Sequence, residues 1–184
     1  MAKSQPLLIQ EYNPQWASEF QAIQKIIMAA LVDLPVSIEH IGSTAIPGLA
    51  AKPIIDIDIV MQEHTAFDTI KDRLATIGYN HHGNQGIPGR EVFKRAPTAA
   101  VQEVLDGVAH HLYVCPANSE ELQRHLRFRD YLLTHEDARI QYEQLKYAIA
   151  EEVNQDRKQY AALKEIKATV FITDILEKAG LNKL

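Results

Sequence analysis

The chain has a single cysteine, so no disulfide can close within it, and Cys115 reads as a small core residue near the end of a strand. It has no uninterrupted apolar run long enough to span a bilayer and no signal peptide at its start. With the lone thiol, this gives the expectation of a reducing cytoplasm. It also lacks a positive excess. The 19 lysines and arginines face 24 acids, and the formal charge of −5 argues against general binding to duplex nucleic acid or an anionic membrane, leaving open only a local basic cleft. No internal repeat, low-complexity tract or heptad register is present. What remains is 184 residues, 46% of them hydrophobic, which suffices for one domain with or without a helical appendage.

The hydrophobic pattern predicts an α/β order. Residues 7–11 read as a short strand. Asn13 then caps a helix with Pro14 in its first turn, and Trp16, Phe20, Ile23, Ile27 and Leu31 recur at helical spacing as its buried stripe. Pro35 ends that helix before a strand at 36–41. A helix over 65–77 carries Phe67, Ile70 and Leu74 on one face and stops at Gly78, with a short strand at Tyr79. Residues 82–90 are glycine-rich and read as an irregular loop, either plain surface or a closing lid. Residues 91–95 and 101–105 read as strands, with Asp106-Gly107 as a hairpin turn into a strand over 108–115. In that strand Leu112 and Val114 share one face, His111 and Tyr113 the other.

From Asn118 onward the pattern is helical. Asn118 with Glu121 resembles a capping pair, and Leu122, Leu126 and Leu133 form a stripe. A break near Thr134-His135 opens a second helix with Ala138, Tyr142, Leu145 and Ile149 on one side. A third spans 156–178 and is stopped by Gly180. In it, Tyr160, Lys164, Lys167 and Phe171 place two lysines between two aromatics, on a stripe facing either phosphates or solvent.

The chemistry concentrates in residues 39–60. Along the strand that starts at Ile54-Ile55, the isoleucines Ile55, Ile57 and Ile59 point to one face while Asp56 and Asp58 point to the other. Two carboxylates about 6 Å apart repel by roughly 3 kcal/mol at an effective dielectric near 20. A divalent cation relieves that repulsion. Magnesium, or manganese, takes one or two carboxylates plus substrate phosphates. The plain alternative is a half-exposed strand whose wet face carries acids. Just upstream, a strand runs directly into Gly42-Ser43-Thr44, three small residues whose amides and hydroxyls suit phosphate oxygens, with Gly42 permitting close backbone approach.

These residues resemble the GrpB-like proteins, a branch of the nucleotidyltransferase superfamily. The resemblance is carried by Glu39-His40-Ile41-Gly42-Ser43-Thr44 through Asp56-Ile57, and by Gly89-Arg90 with Phe93-Lys94. Further matches are His110-His111-Leu112, Phe128-Arg129-Asp130-Tyr131-Leu132, and Tyr160 with Lys164. It implies an α/β (α+β) fold, a mixed sheet flanked by helices, with a nucleotidyltransferase-like core at 1–117 and a C-terminal helical segment at 118–184 packed on it. Against the family, the 96–109 region is long, so a hairpin there is expected to be peculiar to this chain.

By the same resemblance the expected activity is metal-dependent transfer of a nucleoside monophosphate from a nucleoside triphosphate to an acceptor the sequence does not name. Asp56 and Asp58 are the expected metal ligands. Gly42, Ser43, Thr44, Arg90, Arg129 and Lys164 are the expected nucleotide contacts, with an ion pair within its own helix region as the alternative role of Arg129. Nucleotidyltransferases commonly add a third carboxylate from a neighbouring strand, and 110–114 has none. His111 lies where that acid is expected, suited to ligate metal through a neutral nitrogen, to act as a general base, or simply to hydrogen-bond within the sheet. Tyr113 stands where relatives often carry a second histidine. The alternative function is a catalytically inactive nucleotide-binding or accessory module.

Overall fold

The computed structural model describes residues 7–180. Five strands form one mixed sheet: β1 (Val36–Ile41), β2 (Ile55–Met61), β3 (Tyr79–His81), β4 (Glu91–Arg95) and β5 (His110–Pro116), in the order β1-β2-β5-β4-β3. Only β2 and β5 run parallel; the other neighbours are antiparallel.

Alternation along β2 decides the layers. Ile55, Ile57 and Ile59 are fully buried against Trp16, Ile23 and Ile27 of α1 (Gln15–Ala30) and against Ile70 and Leu74 of α2 (Phe67–Thr76), joined by Leu112 and Val114 of β5. The aspartates take the opposite face. Three further helices lie on that side: α4 (Glu120–Thr134), α5 (Glu136–Glu152) and α6 (Arg157–Lys178). Much of their packing is against the irregular connector between β1 and β2 rather than against the sheet. Ile46 and Leu49 meet Leu132, Tyr142, Ala168 and Ile175, while Ala50 meets Ile149 and Tyr160. Held off the sheet by this wedge, the helices leave a cleft above Asp56.

Local signals account for most boundaries. The Asn13 carboxamide accepts from Gln15 N at 3.0 Å and opens α1, and Asp156 accepts from Gln159 N at 2.8 Å and opens α6. The loop over 82–90 is irregular, and Gly89 at φ +73° passes so close to Ser119 that a Cβ would sit 2.8 Å from the serine Cβ.

Four local expectations change. The 7–11 segment makes one isolated antiparallel pairing, Gln10 with Ala51, because its partner is the connector, where Pro53 offers no N–H to extend a ladder. Residues 101–105 do not form a hairpin strand. Residues Glu103–Gly107 form a short helix, α3, capped by the Gln102 side chain on Leu105 N at 2.9 Å, while Asp106 accepts from Gln102 N and from Arg95. The cap of α4 is Ser119, whose hydroxyl accepts from Leu122 N at 3.1 Å, and Glu121 turns instead toward His125. Leu132, not Leu133, carries the α4 stripe: Leu133 is 42% exposed.

Ile57→Ala, at a site with no exposure, should lower unfolding free energy by about 2–5 kcal/mol, and Ile57→Val by about 0.5–1.5 kcal/mol. Chemical denaturation of the two variants checks this gradation.

Candidate functional site

β1 ends opposite the start of the acidic strand, with Ile41 paired to Asp56. The next residue, Gly42, turns the chain at φ +72°, and a Cβ there would lie 2.5 Å from Asp56 Oδ2. Glycine is therefore required both for the backbone conformation and for the approach of the bend to the carboxylate. Ser43–Ala45 then make one tight 3-10 turn. The Thr44 hydroxyl is committed to this scaffold: it donates to Ile54 O at 3.3 Å and meets His40 Nε2 at 3.0 Å. His40 stacks on Phe20 at 4.5 Å between ring centroids, and burial pushes its pKa down to about 4. The ring is thus neutral, with Nε2 carrying the proton it gives Thr44. Thr44 is left with its backbone to offer a ligand, whereas the Ser43 hydroxyl opens into the cleft.

The two aspartates differ. Asp56 lines the cleft, and its Oδ1 is 2.8 Å from Nδ1 of His111, its register partner on β5. Asp58 lies one layer deeper with no exposure. Its Oδ2 is 2.7 Å from His125 Nδ1, and its Oδ1 is buried without a partner. His125 Nε2 in turn lies 3.2 Å from Glu121. Burial raises the pKa of Asp58. It would lower that of His125, but the carboxylates on both sides prevail and lift the imidazole to about 9, so it stands as the counter-ion of Asp58.

Cations gather at the other end of the cleft, which encloses about 760 Å³. Lys52 sits 4.0 Å over the Tyr160 ring, its pKa lowered to about 8 by burial and then by Lys164 and Arg157. Lys164 points across Tyr142 from α6. Lys146 is buried between α5 and the connector and reaches the Ser43 hydroxyl at 3.3 Å. Arg90 stands apart from these lysines, on the side of the acids, over the ring of Tyr113 at 4.6 Å, with its Nε buried and unpartnered.

Of the residues singled out from the sequence, the cleft brings together Gly42, Ser43, Thr44, Asp56, His111, Arg90 and Lys164, with Asp58 behind. Arg129 does not join them. Its guanidinium binds Asp130 at 2.8 Å, the ion-pair alternative within its own helix, and also Glu39 at 2.8 Å and His40 O at 3.0 Å, an unexpected clamp of α4 to β1. Lys167 turns outward to Glu152 and leaves the stripe. His125, Lys146 and Lys52 were not found from the sequence. A signal existed for Lys146, which interrupts the stripe of Tyr142 and Ile149 at helical spacing.

Among the described residues, no three His, Cys, Asp or Glu side chains are gathered so as to hold a metal by themselves. The donor set that fits is smaller. The unpaired Asp58 Oδ1 and the Asp56 carboxylate match a hard cation that draws its remaining oxygens from a ligand.

The family model described as "GrpB protein" matches residues 6–178. This chain belongs to the GrpB family. Among solved structures, GrpB from Enterococcus faecalis is similar at 30% identity and a TM-score of 0.74, covering 93% of this chain and 96% of that one. UPF0157 protein YqkA of Bacillus subtilis is 32% identical over 76% of this chain, which spans only 38% of the length of YqkA. A slighter likeness, 17% identity and a TM-score of 0.45 over 68% of this chain and 42% of the other, is to the Cid1 poly(U) polymerase with MgGTP bound. Within this GrpB fold, the mixed sheet flanked by helices places the Gly42-Ser43 bend directly over the acidic strand.

Two measurements test this geometry. Gly42→Ala should cost about 1–3 kcal/mol in backbone strain alone, read from its denaturation midpoint. His40 has a folded pKa below its unfolded one, so the stability it contributes is present above about pH 6.5 and is lost as pH falls toward 4. His40→Gln should flatten the wild-type decline between pH 6.5 and 4 in denaturant titrations.

Proposed function

We propose that this protein binds a nucleoside triphosphate with magnesium or manganese in the cleft and transfers the nucleoside monophosphate to an acceptor. The observation that carries the reading is the apposition of the Gly42-Ser43 bend with Asp56, backed by the unpaired oxygen of Asp58. When bound, the cation supplies charge neutralisation between the carboxylates and the phosphates. Asp56 and Asp58 would hold it. Gly42 admits phosphate oxygens to the backbone, the Ser43 hydroxyl and Thr44 amide contact them, and Arg90 and Lys164 neutralise their charge.

His111 fits the role of general base. With Asp56 Oδ1 accepting from Nδ1, the proton sits on Nδ1, and Nε2 presents a lone pair from a half-exposed ring. The acceptor O–H or N–H gives its proton to Nε2, the acceptor atom bonds to the α-phosphorus, and the bond to the leaving pyrophosphate breaks in line. We read 1–117 as the core and 118–184 as a helical segment of the same unit, supported by Glu143 of α5 accepting the Ala50 N–H at 2.7 Å. Among the described residues no helix is long and apolar enough to cross a membrane. The buried free thiol of Cys115 supports a cytoplasmic setting.

Two observations favour the accessory-module reading: the His125 imidazolium pairs with Asp58 in the place of a cation, and β5 brings no third carboxylate. The two readings part in the assay. Magnesium with a nucleoside triphosphate at a hundredfold excess over Kd should stabilise the fold by about 2.7 kcal/mol, seen as a rise in Tm, and Asp56→Asn with Asp58→Asn should abolish the rise. An undiminished rise in the double variant removes both aspartates from the site. Pyrophosphate release on a panel of small-molecule and protein acceptors supports the enzyme; stabilisation without release supports the module.

A further inference from the structure

Lys146 is a buried cation without an anion. It is 2% exposed, and its Nζ contacts the Ala50 carbonyl and the Ser43 hydroxyl, both neutral, with the Tyr142 ring centroid at 4.8 Å. Among the described residues it enters no ion pair. The charged groups around it do not supply one. Lys164 faces it from α6 and repels it, and Glu143 on its own helix spends its carboxylate on the Ala50 N–H. From the connector come only Ser43 and Ala50, and Asp56 on β2 is engaged by His111. Burial first, then Lys164, lowers its pKa to about 7. A buried lysine kept at such a position, opening on a cleft beside a phosphate-sized bend, lacks one thing: a negative charge that arrives from outside.

We propose that Lys146 is a phosphate-binding residue of this cleft and that it takes up a proton from solution when the phosphate arrives. The inference rests on the nucleotide reading of the same site. In the empty protein near pH 8 the side chain is largely the neutral amine, hydrogen-bonded to Ser43 and Ala50. A phosphate oxygen beside Ser43 supplies the counter-charge, and the amine binds a proton and becomes the ammonium that holds the phosphate. Binding is therefore linked to pH through a group on α5, and the Ser43 hydroxyl is released to the ligand as Lys146 turns to it.

Calorimetric titration with a magnesium complex of a nucleoside triphosphate analogue whose α,β-bridge cannot be cleaved, fully ionised at pH 8, measures the proton count when run in buffers of different ionisation enthalpy. Wild type should take up protons, Lys52 contributing part because its pKa is also lowered, to about 8. Lys146→Arg, which is always charged, should take up nearly one proton fewer. Equal uptake by the two proteins overturns the proposal while leaving the nucleotide reading intact; no binding by the wild type overturns both. Should the arginine fold poorly, the Cε resonance of Lys146 in the wild type decides alone. It should titrate near pH 7 without the analogue and stay charged beyond pH 9 with it, and an unshifted midpoint overturns the proposal.

Discussion

A carboxylate removed from water must be answered by another charge, and in this protein Asp58 sets that requirement. The strand rule that sends Ile55, Ile57 and Ile59 into the core sends Asp56 and Asp58 to the opposite face, and α4 then closes over the deeper of the two. Removing the partner of such a buried charge typically costs about 3–5 kcal/mol. His125 is that partner, steadied from its other side by Glu121. The arrangement explains why α4 begins with acids and presents its histidine one turn later. It also explains why one oxygen of Asp58 is left over: a single imidazole nitrogen satisfies one lone-pair direction, and the second oxygen remains buried and unpaired.

The connector between β1 and β2 transmits this site to the C-terminal helices. It is irregular because it is rich in prolines and small residues, so its backbone groups are free for side chains to claim. Glu143 takes the Ala50 N–H and Lys146 the Ala50 carbonyl, both from α5. Arg129 of α4 takes the carbonyl of His40 at the end of β1. The helices are thus registered against the bend by polar contacts, while Ile46, Leu49 and Ala50 supply the apolar contact. A ligand at the bend touches groups that already hold two helices in place.

What was legible in the sequence follows from period. The two-residue alternation of β2 and the helical spacing of α1 are local properties, and both stood out. So did the bend, because Gly42-Ser43 follows a β-branched strand directly. The failures are those of reading local signals where distant residues decide. Asp106-Gly107 is a strong turn pair, yet Arg95, eleven residues upstream, captures the Asp106 carboxylate, and Gln102 caps a helix in its place. Arg129 lies in a motif that matches the family, but whether it meets a phosphate or Glu39 depends on how α4 lies across β1. His125 and Lys146 belong to helices whose stripes are visible, while their purpose depends on what the sheet and connector present to them. On a helix, a buried charge such as Lys146 shows in the sequence as an interruption of an apolar stripe.

The cleft therefore separates charge. Its floor carries Asp56, with Asp58 beneath, and its far wall carries Lys52, Lys146 and Lys164, where burial first and then the charge of Lys164 lowers the pKa of the first two. These groups meet only weakly across the space, through Asp56 and Lys164: the acids are taken up by His111 and His125, and the lysines lie over aromatic rings or against neutral oxygens. A ligand of one sign would relieve one end and aggravate the other. An anionic ligand that brings its own cation relieves both, provided the cation sits at the acids and the bulk of the negative charge lies toward the lysines.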